Sequence, residues 1–353
     1  MSGKLYTQIP PPQTSIIEDP FAQLSEQEQE LYHQVFNHFS NDAYTIPDID
    51  NDVQLSEKEK FWLSRECFLR FLRASKWDSQ IAIQRVEKTL KWRREIGLYD
   101  LITAESVEAE AMKHKEIVYG YDAEGRPAYY IVPSRLSSPD PLPQVHLAIW
   151  MMERCIDLMR PGVEHLPAYT RIRTITLLID FADARLPTFT IARSLLSIIQ
   201  EHYPEHLGKT MIINLSFFVN TFIKLIWPFV DPRSRVKTKF NPEVINEGYF
   251  TSDMLITRSW GGTADFEYEH DKYWPALISL CEEMKQQRFQ RWRSLGGTIG
   301  IREWDYKREA GAAASEQVTE QAAKSEPKGS SDCANGQASD FVIGAPKLSA
   351  AAI

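Results

Sequence analysis

Residues 201–239 read EHYPEHLGKTMIINLSFFVNTFIKLIWPFVDPRSRVKTK, and they join a His/Glu cluster, a short apolar strand, an aromatic apolar run and a basic tail in one continuous segment. Residues 210–215, TMIINL, form a short apolar stretch of the kind a buried strand shows. Residues 217–229 carry Phe217, Phe218, Phe222, Ile223, Leu225, Ile226, Trp227 and Phe229, more apolar surface than one core-facing helix stripe needs. Trp227-Pro228-Phe229 sets bulky side chains at a helix-ending kink, a position suited to a membrane interface. Arg233, Arg235, Lys237 and Lys239 follow, against the single acid Asp231. A greasy helix beside local basic charge suits something both apolar and anionic, a description that fits a lipid better than a metabolite. Core packing for the aromatic run and a solvated face for Lys237 and its neighbours are the structural alternatives.

Outward from this segment, strands and helices alternate. Residues 174–181, TITLLIDF, read as a buried strand and 191–200 as a helix, with 146–159 helical before them. Residues 116–121 and 128–132 are β-rich and flank a hairpin-type connection, DAEGRP, at 122–127. This order predicts an α/β layer with a largely parallel sheet. Further upstream, Ser25 with Glu28 and Ser56 with Glu59 are capping-box signatures, each followed by helical apolar spacing. Residues 24–105 are expected to be an all-helical lobe and 106–308 an α/β lobe ending in a helix over 273–292. Residues 1–23 are Pro-rich and read as a flexible arm. Residues 309–353 are rich in Ala, Ser, Gly, Gln and Glu without periodicity, the composition of a disordered tail.

The chain has 353 residues and a formal charge of −8, which argues against a nucleic-acid partner and makes any contact with an anionic membrane local. Cys67, Cys155, Cys281 and Cys333 are widely spaced and read as reduced thiols of a cytosolic protein. The N-terminus lacks the apolar core of a secretory signal, and no stretch reaches the length of a spanning helix.

Three short motifs suggest other chemistry. His202, Glu205 and His206 match the HxxEH zinc-hydrolase pattern, but Pro204 disfavours the unbroken helix that would aim both histidines at one metal; exposed histidines at a helix end are the expectation. Gly208-Lys209-Thr210 ends like a phosphate-binding loop, yet a helix precedes it and a strand follows, the reverse of what that loop requires. Asp180 and Asp183 follow a strand and read as turn residues, as does the pair Gly261-Gly262.

Several motifs, in order, resemble the CRAL-TRIO lipid-binding family. These are Phe68-Leu69-Arg70-Phe71-Leu72-Arg73-Ala74 with Lys76-Trp77-Asp78, the D-x-x-G-R-P hairpin at 122–127, Tyr203-Pro204-Glu205-His206-Leu207-Gly208-Lys209 with His206 in place of the usual Arg, and Phe229-Val230-Asp231-Pro232. The segments LYHQVFNHFS at 31–40, YWPAL at 273–277 and SLGG at 294–297 extend the resemblance toward the fungal phosphatidylinositol-transfer proteins linked to pleiotropic azole resistance.

The resemblance implies a helical lobe packed on an α/β lobe, whose mostly parallel sheet floors an apolar lipid pocket under a gating helix. Phe217, Phe218, Phe222, Ile223, Ile226, Trp227 and Phe229 would belong to that helix and its membrane contact. Glu205 and Lys237 match the family's pair around the phosphoinositol headgroup and neutralise one another when the site is empty; Ser234 matches its hydroxyl. Ser75, where the founding exchangers have Arg, and Ile175 and Leu177, where they present hydroxyls, depart from the pattern and turn the expected second ligand from phosphatidylcholine to sterol. The implied protein is no enzyme, needs no cofactor, and exchanges phosphatidylinositol for sterol at membranes, with a role in lipid metabolism and azole tolerance. A sensor presenting phosphatidylinositol to a phosphatidylinositol kinase is the alternative reading. Its expected place is the cytoplasm, peripherally on endoplasmic reticulum, lipid droplets or the cell periphery.

Overall fold

The capping boxes at Ser25 and Ser56 form as the sequence predicts, each hydroxyl accepting the N–H of the glutamate three residues on, and they open α1 (Glu26–Ser40) and α2 (Glu57–Trp62). Ser64, Asp78 and Thr103 cap α3 (Arg65–Ala74), α4 (Ser79–Glu95) and α5 (Ala104–Ala111), each side-chain oxygen accepting the N–H of the residue three positions on. The computed structural model describes residues 3–11, 24–47, 54–133, 140–160, 174–182 and 186–307; the expected tail at 309–353 and Asp183 lie outside them. Helices α1, α3 and α4 bury Val35, Phe39, Phe68, Leu72, Val86 and Leu90 in one apolar core.

A hairpin follows, β1 (Glu116–Tyr121) antiparallel to β2 (Pro127–Ile131). The Asp122 carboxylate accepts the N–H groups of Glu124 and Arg126, both at 2.9 Å, and Gly125 takes the left-handed φ of 77° that closes the turn. The chain then runs through α6 (Leu142–Leu158), β3 (Ile175–Asp180), α7 (Phe189–His202), β4 (Leu207–Ile213), α8 (Phe217–Ile226), α9 (Pro232–Lys237) and β5 (Thr238–Phe240). A single distorted turn α10 (Thr257–Trp260), the long α11 (His270–Ser294) and α12 (Glu303–Lys307) complete it.

Strand order is β1-β2-β3-β4-β5, with every pair after the hairpin parallel. Alternation assigns the two faces. Tyr129, Ile175 and Leu177 share a core with α6 and α11, while Tyr130, Leu178 and Met211 meet Val244, Phe250 and Leu255 on the other side. Ile212 and Ile179 continue the first face toward α8. Ile175 and Leu177 are buried in that face.

The structure corrects several expectations. The helix implied over 217–229 is shorter: α8 stops at Ile226 and Trp227–Phe229 is a 3-10 turn, the helix-ending kink expected at Trp227-Pro228-Phe229, because Pro228 cannot continue the α-helical ladder. Strand β4 begins at Leu207 rather than residue 210, and β5 is a strand within what reads as a basic tail. Residues 3–11 of the supposed arm are docked: Leu5 bridges Phe266, and the Gln8 side chain accepts the Gly120 N–H at 2.8 Å. The 105/106 boundary is no break in packing, since α5 crosses it and Ile102 and Val107 share the sheet's core. Nor does the C-terminal segment stay with the α/β lobe. Phe61 of α2 packs on Phe289, Trp292 and Tyr306 at 5.1–5.5 Å, and Arg70 of α3 pairs with Glu303 of α12 at 2.9 Å.

Candidate lipid-binding site

Because β2 through β5 run parallel, the residues just before each strand fall on one edge of the sheet. Arg126 precedes β2, Thr174 precedes β3, Glu205 lies two residues before β4, and Lys237 immediately precedes β5. Helix α7 ends at His202 with Tyr203 in a non-helical C-cap conformation, and Glu205, at a left-handed φ of 59°, lies in the turn that leads into β4. The Lys237 ammonium donates to the carbonyl of Leu207, the first residue of β4, at 2.8 Å. Asp231 caps α9, accepting the N–H groups of Arg233 at 2.8 Å and Ser234 at 3.2 Å, and also takes the Ser234 hydroxyl. Ser234 and Lys237 are thereby held one turn apart on α9. Gly208 keeps this edge tight: a Cβ there would lie 2.3 Å from Thr174 Oγ1 and 2.9 Å from Arg126 Cδ.

The fold thus brings Glu205, Ser234 and Lys237 together, with one change in the expected pairing. Glu205 does not pair with Lys237. Its carboxylate binds the Arg73 guanidinium of α3 at 2.7 Å, with Arg233 at 3.8 Å. Arg73 lies in the FLRFLRA motif and is the site residue that sequence reasoning missed; its only signal was a charged residue inside an apolar helical motif. Burial pushes the Lys237 ammonium below its ordinary value, against the pull of Glu205 and Asp231 and with the help of Arg126 and Arg233. A partly dehydrated lysine of this kind gains from a bound anion.

Helix α8 lies against this side of the sheet through Val219, which is fully buried with Phe181 and Ile212. Phe222, Ile223, Ile226 and Trp227 are half-buried, and Trp227 packs on Phe240 of β5 at 5.5 Å. Phe217 and Phe218 are 79% and 71% exposed, and Leu225, Phe229 and Val236 are exposed as well. Exposed apolar side chains along α8, at the turn after it and on α9 are what a membrane-facing surface requires. The hinge is tied back: Gln200 of α7 donates to the Phe229 carbonyl at 3.0 Å, and Arg235 donates to the carbonyls of Val230 and Pro228.

The HxxEH side chains are committed elsewhere. His202 stacks on Trp92 at 4.0 Å and bonds Thr89 at 3.1 Å, and His206 bonds the Pro204 carbonyl at 3.1 Å. Both are buried rather than exposed, because α7 ends against α4 and not in solvent. Burial lowers their pKa values to about 4 and about 3. Gly208-Lys209-Thr210 lies within β4, and Lys209 pairs with Glu124. Asp180 accepts from the Ala182 N–H and the Asn214 amide, which is turn chemistry.

Residues 31–88 match the CRAL/TRIO N-terminal domain and residues 111–261 the CRAL/TRIO domain. The chain is 36% identical over 307 residues to phosphatidylinositol transfer protein PDR17 of Saccharomyces cerevisiae, covering 80% of this chain and 84% of that protein. The chain belongs to the CRAL/TRIO family. It is also 36% identical over 293 residues to the CRAL-TRIO domain-containing protein C23B6.04c of Schizosaccharomyces pombe, covering 81% of this chain but 28% of that longer protein. To the SEC14 cytosolic factor of Candida glabrata it is 26% identical over 186 residues, 48% of this chain and 60% of that one. The Arg73–Glu205 ion pair therefore joins the two matched CRAL/TRIO domains. Among the described residues no helix is long and apolar enough to cross a membrane.

Proposed function

We propose that this CRAL/TRIO protein is a non-enzymatic carrier that binds phosphatidylinositol and exchanges it at membrane surfaces, with sterol as the second lipid. The observation that carries the reading is the convergence of Lys237, Ser234 and Glu205 on one sheet edge, beside a helix whose Phe217 and Phe218 face solvent. The similarity to PDR17, a phosphatidylinositol transfer protein, supports the same lipid class. Lys237 would meet the headgroup phosphate. Glu205, held by Arg73, would accept inositol hydroxyls, and Ser234 would add a hydroxyl. The buried Ile175 and Leu177 favour an apolar second ligand over a choline lipid. In water α8 stays closed through Val219; at a membrane its outer aromatic residues gain apolar contact, and the open state is favoured.

The test is phosphatidylinositol transfer between vesicles by Lys237→Ala. Transfer is expected to fall at least tenfold with an unchanged melting temperature, because among the described residues Lys237 donates to a single carbonyl, that of Leu207. Wild-type transfer by the variant would refute the assignment. Glu205→Ala is a poorer test, since it strips a mostly buried arginine of its carboxylate and destabilises the fold. Glu205→Gln keeps a hydrogen-bond acceptor for Arg73 and is the variant to compare.

A further inference from the structure

The turn that carries Glu205 also walls a cavity: His202, Tyr203 and His206 line it, and Glu205 does not. This cavity, of about 110 Å³, lies between the helical lobe and the α6, α11 and α12 segments. Six cationic side chains line it: Lys58, Arg70, Arg93, Lys285, Arg288 and Lys307. Only three carboxylates do, and each is already engaged. Glu303 takes Arg70 at 2.9 Å and Lys307 at 2.6 Å. Glu153 takes Arg93 at 3.1 Å and the Tyr203 hydroxyl at 2.9 Å. Asp157 takes Arg154, which is not among the lining residues, at 2.7 Å.

Positive charge is therefore in excess inside a space with aromatic walls at Phe61, Trp62, Phe289 and Tyr306. Arg70, Arg93 and Arg288 are more than nine-tenths buried, so water screens them weakly. At the exposed rim, Lys58 gives its ammonium to the Tyr99 carbonyl at 3.1 Å, and among the described residues neither Lys58 nor Lys285 forms an ion pair. Arg288 donates to the carbonyls of Asp157 and Met159, and Arg70 and Arg93 to Glu303 and Glu153, so the rim ammonium groups, backed by these guanidinium charges, are the donors that suit a tetrahedral oxyanion. The volume is that of about three or four waters, which admits such an ion and excludes a lipid or a nucleotide.

We propose that this cavity binds a compact oxyanion of the phosphate class, either free phosphate or a small phosphomonoester. The site is separate from the Lys237 edge and does not rest on the lipid reading. Calorimetric titration of the full chain with inorganic phosphate, at constant ionic strength, tests it. Saturable binding is expected below about 10 mM, at least tenfold weaker in the Lys58→Ala/Lys285→Ala double variant and unchanged in Lys237→Ala. Both lysines are exposed, so a wild-type melting temperature of the double variant shows that the fold is intact. Glycerol phosphate competing at similar affinity would identify a monoester as the source; failure to compete would identify the free ion. Absence of saturable binding, binding unaltered in the double variant, or binding lost in Lys237→Ala would each overturn the proposal.

Discussion

Glu116 is a buried acid that departs well from ordinary behaviour. It sits on β1 with its carboxylate bonded to the Tyr129 hydroxyl, and burial raises its pKa to about 7. A raised acid is easier to protonate folded than unfolded, so its penalty grows as pH rises from about 4.5 through about 7. Glu116→Gln should therefore stabilise the protein relative to wild type at pH 8 by up to about 3 kcal/mol, and much less at pH 5. Urea denaturation at the two pH values checks this. The two histidines have the opposite sign. His202 and His206 are neutral in the fold and take protons more readily unfolded, near 6.5. Their stabilisation is complete above about pH 6.5. It is lost as pH falls through about 4 for His202 and about 3 for His206. Glu116→Gln removes the opposing acid, so its stability should fall monotonically from pH 7 to pH 4; a flat profile would contradict the buried neutral imidazoles.

Among the elements, α8 makes the sharpest claim. Its inward contact is Val219 and its outward residues are Phe217 and Phe218, so the two faces can be tested apart. Phe217→Ser/Phe218→Ser should leave the melting temperature within about 1 °C of wild type, since exposed substitutions cost little. It should also lower co-sedimentation with anionic vesicles severalfold. Unchanged co-sedimentation would show that α8 is not the membrane contact. Most elements could be read from sequence, because they rest on local signals: the caps at Ser25 and Ser56, the hairpin around Gly125, the buried run of β3. What escaped depends on tertiary pairing. Strand β5 is three residues long and exists because Thr238 and its neighbours pair with β4, which no local periodicity announces. Docking of residues 3–11 likewise rests on tertiary contacts, the Leu5 bridge to Phe266 and the hydrogen bond between Gln8 and Gly120 among them. At the site, Glu205, Ser234 and Lys237 were legible only through resemblance to a family. Arg73 as the partner of Glu205 was not, because the two are far apart in sequence and meet only when α3 packs beside the α7–β4 turn.

For the whole molecule, lobes that the sequence divides at 105/106 share structure at both ends. Glu303 of α12 accepts from Ser64 and Arg70 of the helical lobe, and its N–H donates to Glu66 at 2.7 Å. Glu303→Ala leaves Arg70 buried without that carboxylate and should cost about 3–5 kcal/mol, read as a lower denaturation midpoint with the two lobes still unfolding together. The Arg73–Glu205 pair performs the same joining beside the candidate headgroup site. The central claim is that this assembly holds phosphatidylinositol by Lys237. Mass spectrometry of lipids released from the purified wild-type chain and from Lys237→Ala tests it most directly. Phosphatidylinositol is expected in the wild type and its marked depletion in the variant, with sterol retained; equal phosphatidylinositol in both, or none in the wild type, would contradict that role of Lys237.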